Sequence, residues 1–233
     1  MKNPVFCAVD TQNIATAIQI ASLLKGKVGG FKLGLEYFMA HGVEGYKHIA
    51  AFGTPIFLDV KLHDIPNTVA GAVKSLLPLN PEFITVHTSG GAAMMRAAAK
   101  AAVGNGAHRP KLLGVTVLTS LDKDDMAAVG QDVNVSAQVL RLAKLAKESG
   151  LDGIVCSPAE VAMLRKELGP EFILMVPGIR PTWAASNDQK RIMTPSDAVK
   201  AGASCLVIGR PITSAEDPAA AAERIAAEIA ECQ

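Results

Sequence analysis

The chain has 233 residues, of which 49% are hydrophobic, 19% charged and 4% aromatic, with 23 Lys and Arg against 22 Asp and Glu. That much apolar side chain supports a sizeable core and excludes a disordered chain, and the near-neutral balance excludes the basic footprint of a nucleic-acid or membrane-surface binder. No apolar stretch approaches about 18 residues without charges or turn signals, and the N-terminus lacks signal-peptide architecture, so a reduced cytoplasmic protein is expected.

The first β-like run, PVFCAVD (4–10), ends on Asp10, and the helix-like TAIQIASLLKG follows it. GGFKLG (29–34) carries Lys32 near its end. PIFLDVK (55–61) closes on Asp59 and Lys61, with Asp64 three residues further on. Positions i and i+2 of a strand share a face, so Asp59 and Lys61 are expected to project together. FITVHT (83–88) bears His87 and precedes the helix-like GAAMMRAAAKAAVGNG. KLLGVTVL (111–118) is followed by Thr119 and Ser120, and then by the helix-like VSAQVLRLAKLAKESG. GIVCS (153–157), FILMVPG (172–178) and CLVIGR (205–210) complete the β-like runs, the last ending in Gly209-Arg210. In the closing helix-like stretch, DPAAAAERIAAEIAEC, Asp217 suits the cap and Pro218 the first helical position.

Several of these eight runs are continuously apolar, as strands covered on both faces are. Their alternation with helices predicts right-handed βαβ units and a parallel sheet, and eight units in this length match a (β/α)₈ TIM barrel. A doubly wound sheet would call for a glycine fingerprint after the first strand, where AVDTQNIATA has none. Without a Pro/Ser-rich linker, residues 1–233 read as one barrel domain. Cys7, Cys156 and Cys205 lie in apolar runs and read as small hydrophobes, and the four cysteines contain no Cys-x-x-Cys pair.

Polar residues gather at strand C-termini, where this fold places its catalytic groups: Asp10, Lys32, Asp59, Lys61, His87, Thr119, Ser120, Gly209 and Arg210. From Ile179 to about Met193 there is no clear apolar period, which predicts a lid or binding loop. Arg180, Gln189, Lys190 and Arg191 supply donors suited to phosphate, and Gly209-Arg210 faces them from the next strand end. The row Lys32, Asp59, Lys61, Asp64 contains two charges of each sign, so its members can keep one another ionised. It fits a structural ion-pair network, a metal site drawing on Asp59, Glu36 and histidines, or a proton-transfer site with Lys61 as the acid. Two lysines argue against a tightly held cation.

The segment FLDVKLHDIPNTV (57–69), together with VTVLTS, PGIR, DQKR and VIGRPI, resembles the bacterial type of the orotidine 5′-phosphate decarboxylase family. The likeness runs from AVD in the first strand to IGRPIT in the last, in order and at fitting spacing. It implies a (β/α)₈ barrel that uses neither metal nor cofactor and works as a homodimer with shared sites. By resemblance, Lys32, Asp59, Lys61 and Asp64 form the charged catalytic array, with Asp64 from the neighbouring subunit and Lys61 as proton donor to C6 of the pyrimidine. The resemblance gives the ribose hydroxyls to Asp10, Lys32 and the neighbour's Thr68, and the pyrimidine to Thr119 and Ser120. It gives the phosphate to Arg180, Gln189, Gly209 and Arg210, with Gln189 on the loop, placed where it could bridge phosphate and base. His63 and His87 lie beside the cluster and are given only a supporting role, with no site function. Two rivals stand beside this reading. Metal-assisted sugar-phosphate decarboxylases and aldolases share an Asp-x-Lys-x-x-Asp strand, but there an acidic residue takes the place of Lys32. A catalytically silent nucleotide-binding barrel would have no need of the paired lysines.

Overall fold

The computed structural model describes residues 3–105, 108–184 and 193–232. β1 (Val5–Ala8) leads to α1 (Ile14–Leu24), β2 (Gly30–Gly34) to α2 (Leu35–Ala50), β3 (Ile56–Leu62) to α3 (Pro66–Leu76) and β4 (Phe83–His87) to α4 (Gly91–Ala102). β5 (Lys111–Val115) is followed by α5 (Lys123–Ala128) and α6 (Val135–Glu148), and β6 (Gly153–Val155) by α7 (Val161–Leu168). β7 (Ile173–Val176) precedes α8 (Pro195–Lys200), and β8 (Cys205–Ile208) precedes α9 (Arg210–Thr213) and α10 (Pro218–Ala230). The strands pair in parallel in chain order, and β8 returns to β1 to close the barrel. Every strand therefore has two neighbours, and no edge is left to recruit another chain.

Helix ends follow the local chemistry. Asn13 accepts from the Thr16 N–H and Asn134 from the Ala137 N–H, while Asp217 takes the N–H groups of Ala219 and Ala220 ahead of α10. Gly26 and Gly150, just past α1 and α6, have φ of 77° and 83°, the left-handed stop that glycine adopts without a Cβ clash.

Alternation along each strand sorts side chains between two cores. One parity faces the helices, including Cys7, Phe31, Leu33, Leu58, Ile84 and Leu112. The other fills the barrel with Phe6, Ala8, Phe57, Phe83, Leu113, Met175 and Val207. Inside, the rings of Phe6, Phe57 and Phe83 meet edge to face, with centroids 5.4 to 6.3 Å apart, the geometry that ring quadrupoles favour. Gly30 leaves room for this plug, since a Cβ there would stand 2.1 Å from Phe6 Cε1. At the strand N-termini, Arg165 of α7 donates to the carbonyls of Gly169, Pro170, Phe172 and Gly202 and to Ser204 Oγ. It thereby ties the starts of β7 and β8 to their helix.

Most strands stop two or three residues before their apolar runs do. β1 ends at Ala8 rather than Asp10, β5 at Val115 rather than Leu118, and β8 at Ile208 rather than Arg210. A last ladder bond persists just past β1 and β6, where the Val9 and Cys156 N–H groups donate to the Lys32 and Met175 carbonyls, and residues beyond the strand ends line the mouth of the barrel.

Candidate active site

A cavity of about 440 Å³ opens at the C-terminal end of the barrel, a volume typical of small-molecule sites. Phe57, the top of the aromatic plug, forms its floor with Ala8, Val115, Val155 and Val207. Asp10, Lys32, Asp59, Lys61, Thr119, Arg180, Gly209 and Arg210 line its walls, so the barrel collects these from the ends of β1, β2, β3, β5, β7 and β8. Asp64, Thr68 and Ser120 are exposed and do not line it, and Gln189 lies outside the described residues.

β3 is irregular where its charges sit. Leu58 pairs with Ile84 and Leu62 with Val86, so four steps of β3 run against two of β4. The surplus forms a bulge containing Asp59, Val60 and Lys61, and Lys61 takes φ of 50°. A non-glycine residue held there costs about 1–3 kcal/mol, and such strain gathers at functional sites. Lys61 Nζ reaches Asp59 Oδ2 at 2.7 Å, so the two side chains do project together, but across a bulge rather than along a regular strand.

The charges do not form the continuous row that their spacing suggests. Lys32 Nζ donates to Asp10 Oδ1 at 2.7 Å, giving a second pair separate from Asp59–Lys61. Asp64 makes no ion pair among the described residues, and its Oδ1 accepts the Ile65 N–H at 2.6 Å. Two lysine–carboxylate pairs thus stand over an apolar floor, where Coulomb interactions are less screened than in water. Among the described residues, no group of three or more His, Cys, Asp or Glu is arranged to hold a metal ion.

Arg180 is buried, and its Nη1 donates to the Ile179 carbonyl. Its backbone N–H donates to the Met193 carbonyl, and Ile179 bridges Met193, so the two ends of the expected binding loop are tied together at the rim. Trp183, the only tryptophan of the chain, lies under the Arg224 guanidinium at 4.8 Å. His63 and His87 face each other beside the cluster with ring centroids 5.4 Å apart. Burial lowers the His87 pKa, and the neighbouring His63 and Lys61 lower it further against the opposing pull of Asp59, which favours a neutral imidazole. Cys156 lines the cavity, but burial raises its thiol well above the ordinary range, which leaves it a hydrophobic wall rather than a nucleophile.

Three contributors are silent in the sequence. Thr213 lines the cavity from α9. Gly34 leaves space for the Lys32–Asp10 pair, since a Cβ would stand 2.9 Å from Lys32 Nζ and 3.1 Å from Asp10 Oδ1. Thr85, fully buried on β4, accepts the Lys61 backbone N–H at 2.9 Å and donates to Asp59 Oδ1 at 3.0 Å. A threonine in FITVHT reads as an ordinary β-former, and nothing local announces a bulge opposite it.

A closed parallel barrel with paired lysines and carboxylates at the C-terminal mouth, and arginines after β7 and β8, is the architecture of a barrel enzyme acting on a phosphorylated ligand. The comparisons narrow that class. A profile described as "Orotidine 5'-phosphate decarboxylase / HUMPS family" matches residues 3–225. Proteins named orotidine 5′-phosphate decarboxylase from Paramagnetospirillum magneticum and Rhodospirillum rubrum are 54% and 52% identical to the chain. Each alignment covers 98% of this chain, with 99% and 94% of the respective relative. The crystal structure of orotidine 5′-phosphate decarboxylase from Lactobacillus acidophilus superposes with a TM-score of 0.88 at 40% identity, covering 97% of this chain and 99% of that one. The chain belongs to the orotidine 5′-phosphate decarboxylase family.

Proposed function

We propose that this chain decarboxylates orotidine 5′-monophosphate to uridine 5′-monophosphate, a step of pyrimidine nucleotide synthesis, without metal or cofactor. The observation that carries this reading is the Lys61–Asp59 pair at the cavity mouth, with Lys32–Asp10 beside it and Arg180 and Arg210 in the same cavity. Relatives that bear this activity in their names at more than 50% identity support it.

In this reading Arg180, Gln189, Gly209 and Arg210 hold the phosphate, and Asp10 and Lys32 hold the ribose hydroxyls. Thr119, on the cavity wall, and Ser120, next to it on the rim, meet the pyrimidine. The ring then lies with C6 toward Lys61 and its carboxylate toward Asp59. The C6–carboxylate bond breaks, CO₂ leaves, and the electron pair stays on C6. The Lys61 ammonium stabilises that charge as it develops and delivers its proton to C6, and the resulting amine regains a proton from solvent.

Repulsion between Asp59 and the substrate carboxylate contributes about 4 kcal/mol for unit charges 4 Å apart at an effective dielectric of 20. Enzymes lower barriers by up to ~23 kcal/mol and sometimes more, so repulsion is a minor share and the ammonium at C6 carries more. Binding energy from the remote phosphate orients the ring.

A second copy of the chain completes the site by supplying Asp64 and Thr68. Both are exposed and outside the cavity of a single chain. Exposed apolar residues at the same end of the barrel, Leu35 and Met39 near the start of α2 and Ile65 ahead of α3, give a homodimer something to bury.

The direct test incubates the protein with orotidine 5′-monophosphate and excess chelator while following the loss of orotate absorbance in the ultraviolet. Conversion to uridine 5′-monophosphate is expected. Absence of conversion, with Mg²⁺ restoring turnover of a sugar phosphate, would move the chain to the metal-assisted branch.

A further inference from the structure

We propose that Thr85 is a positioning residue for the reacting pair, its one hydroxyl fixing both the backbone of Lys61 and the carboxylate of Asp59. The inference rests on the assignment of Lys61 and Asp59 made above.

The bulge in β3 creates the need. Where four steps of β3 oppose two of β4, the Lys61 N–H has no regular ladder partner, and Lys61 sits at φ of 50°. A buried N–H left unpaired would pull the residue out of that conformation. The Thr85 hydroxyl oxygen takes this N–H at 2.9 Å. Its own proton goes to Asp59 Oδ1 at 3.0 Å, and the other carboxylate oxygen, Oδ2, receives Lys61 Nζ at 2.7 Å. The three residues close a ring: Lys61 backbone to Thr85 hydroxyl, hydroxyl to Asp59, Asp59 to the Lys61 ammonium. One group must both accept and donate at a single atom, which a hydroxyl does and a methyl does not. Thr85 is wholly buried and does not line the cavity, so it acts on the reaction only through the two residues it holds. Because the phosphate is held on the far side, at β7 and β8, loosening the ring should leave substrate binding in place and impair the chemical step.

Three variants separate the hydroxyl from the bulk. Thr85→Val keeps the shape and loses the hydroxyl. Thr85→Ser keeps the hydroxyl and loses a methyl. Lys61→Ala checks the premise. Losing a hydrogen bond to a charged group predicts a kcat lower by about 10- to 100-fold in Thr85→Val. KM and the inhibition constant for uridine 5′-monophosphate should stay within about twofold, and Thr85→Ser should recover most of kcat. A normal kcat in Thr85→Val alongside an inactive Lys61→Ala would overturn the role of Thr85 alone. So would the reverse order, with Ser impaired and Val normal, or an equal loss of nucleotide affinity and kcat, since each would mark Thr85 as packing. If Lys61→Ala itself turned over normally, the assignment of the proton donor would fall, and this inference with it.

Discussion

Gly34 is a residue whose contribution is room. Its φ of −91° is open to any residue, so the atoms that a new Cβ would displace decide the cost. Those atoms are the tips of Lys32 and Asp10, which can swing aside while the fold stays intact. Gly34→Ala is therefore expected to separate activity from stability. If Lys32 and Asp10 hold the ribose as proposed, their displacement by about 1 Å predicts a kcat/KM lower by up to about 100-fold. The weaker helix cap left by alanine predicts a Tm lower by no more than about 4 °C. Calorimetry and steady-state kinetics on one preparation check both, and a folding defect as large as the activity defect would contradict the argument. Gly34 and Thr85 share the reason that neither is legible in the sequence. Asp59 and Lys61 stand out because charges are costly at the end of an apolar strand. A glycine that leaves space and a threonine that holds a hydroxyl look like ordinary residues of a strand.

At the scale of elements, strand starts are far more legible than strand ends. Each run of β-branched and aliphatic residues begins within one residue of its strand, because burial on both faces leaves no polar position to blur it. The ends differ because the chain stays apolar after leaving the ladder, as Val117 and Leu118 do at the cavity wall. Helices with an unbroken apolar face, such as α4, α6 and α10, are plain in the sequence. α2 is not, since Gly42 at φ of 57° breaks its period part-way. The aromatic plug is likewise a property of assembled strands, because Phe6, Phe57 and Phe83 become neighbours only once β1, β3 and β4 share a barrel. Phe83 is buried in the plug without lining the cavity, so Phe83→Ala should cost about 3–5 kcal/mol in urea unfolding, as deletion of a packed ring does. A loss below about 1 kcal/mol would mean that the plug collapses around the gap.

At the scale of the whole molecule, the barrel shape follows from eight repeats of one pattern, whereas the arrangement of subunits has no such signature. Asp64 and Thr68 carry nothing in their spacing that says which copy of the chain they serve, and that part of the reading comes from resemblance. A mixing experiment tests it. Lys61→Ala and Asp64→Ala are each expected to be inactive alone. Random exchange between them should restore about one quarter of wild-type activity, because half of the dimers are mixed and each mixed dimer rebuilds one of two sites. Formation of mixed dimers without recovered activity would place Asp64 in its own chain's site.

The bulge of β3 also governs which changes of chain length the protein can accept. Its surplus over β4 is an even number of residues, so Leu58 before it and Leu62 after it both pack toward the helices. Deleting one residue between them would reverse that parity, turning Leu62 into the barrel and carrying the DIPNT segment around with it. Deleting two would restore an unbroken ladder and a smoother barrel, but would leave at most one of Asp59 and Lys61. Length variants within β3 should therefore divide into those that fail to fold and those that fold without turning over, while the outer loops vary freely.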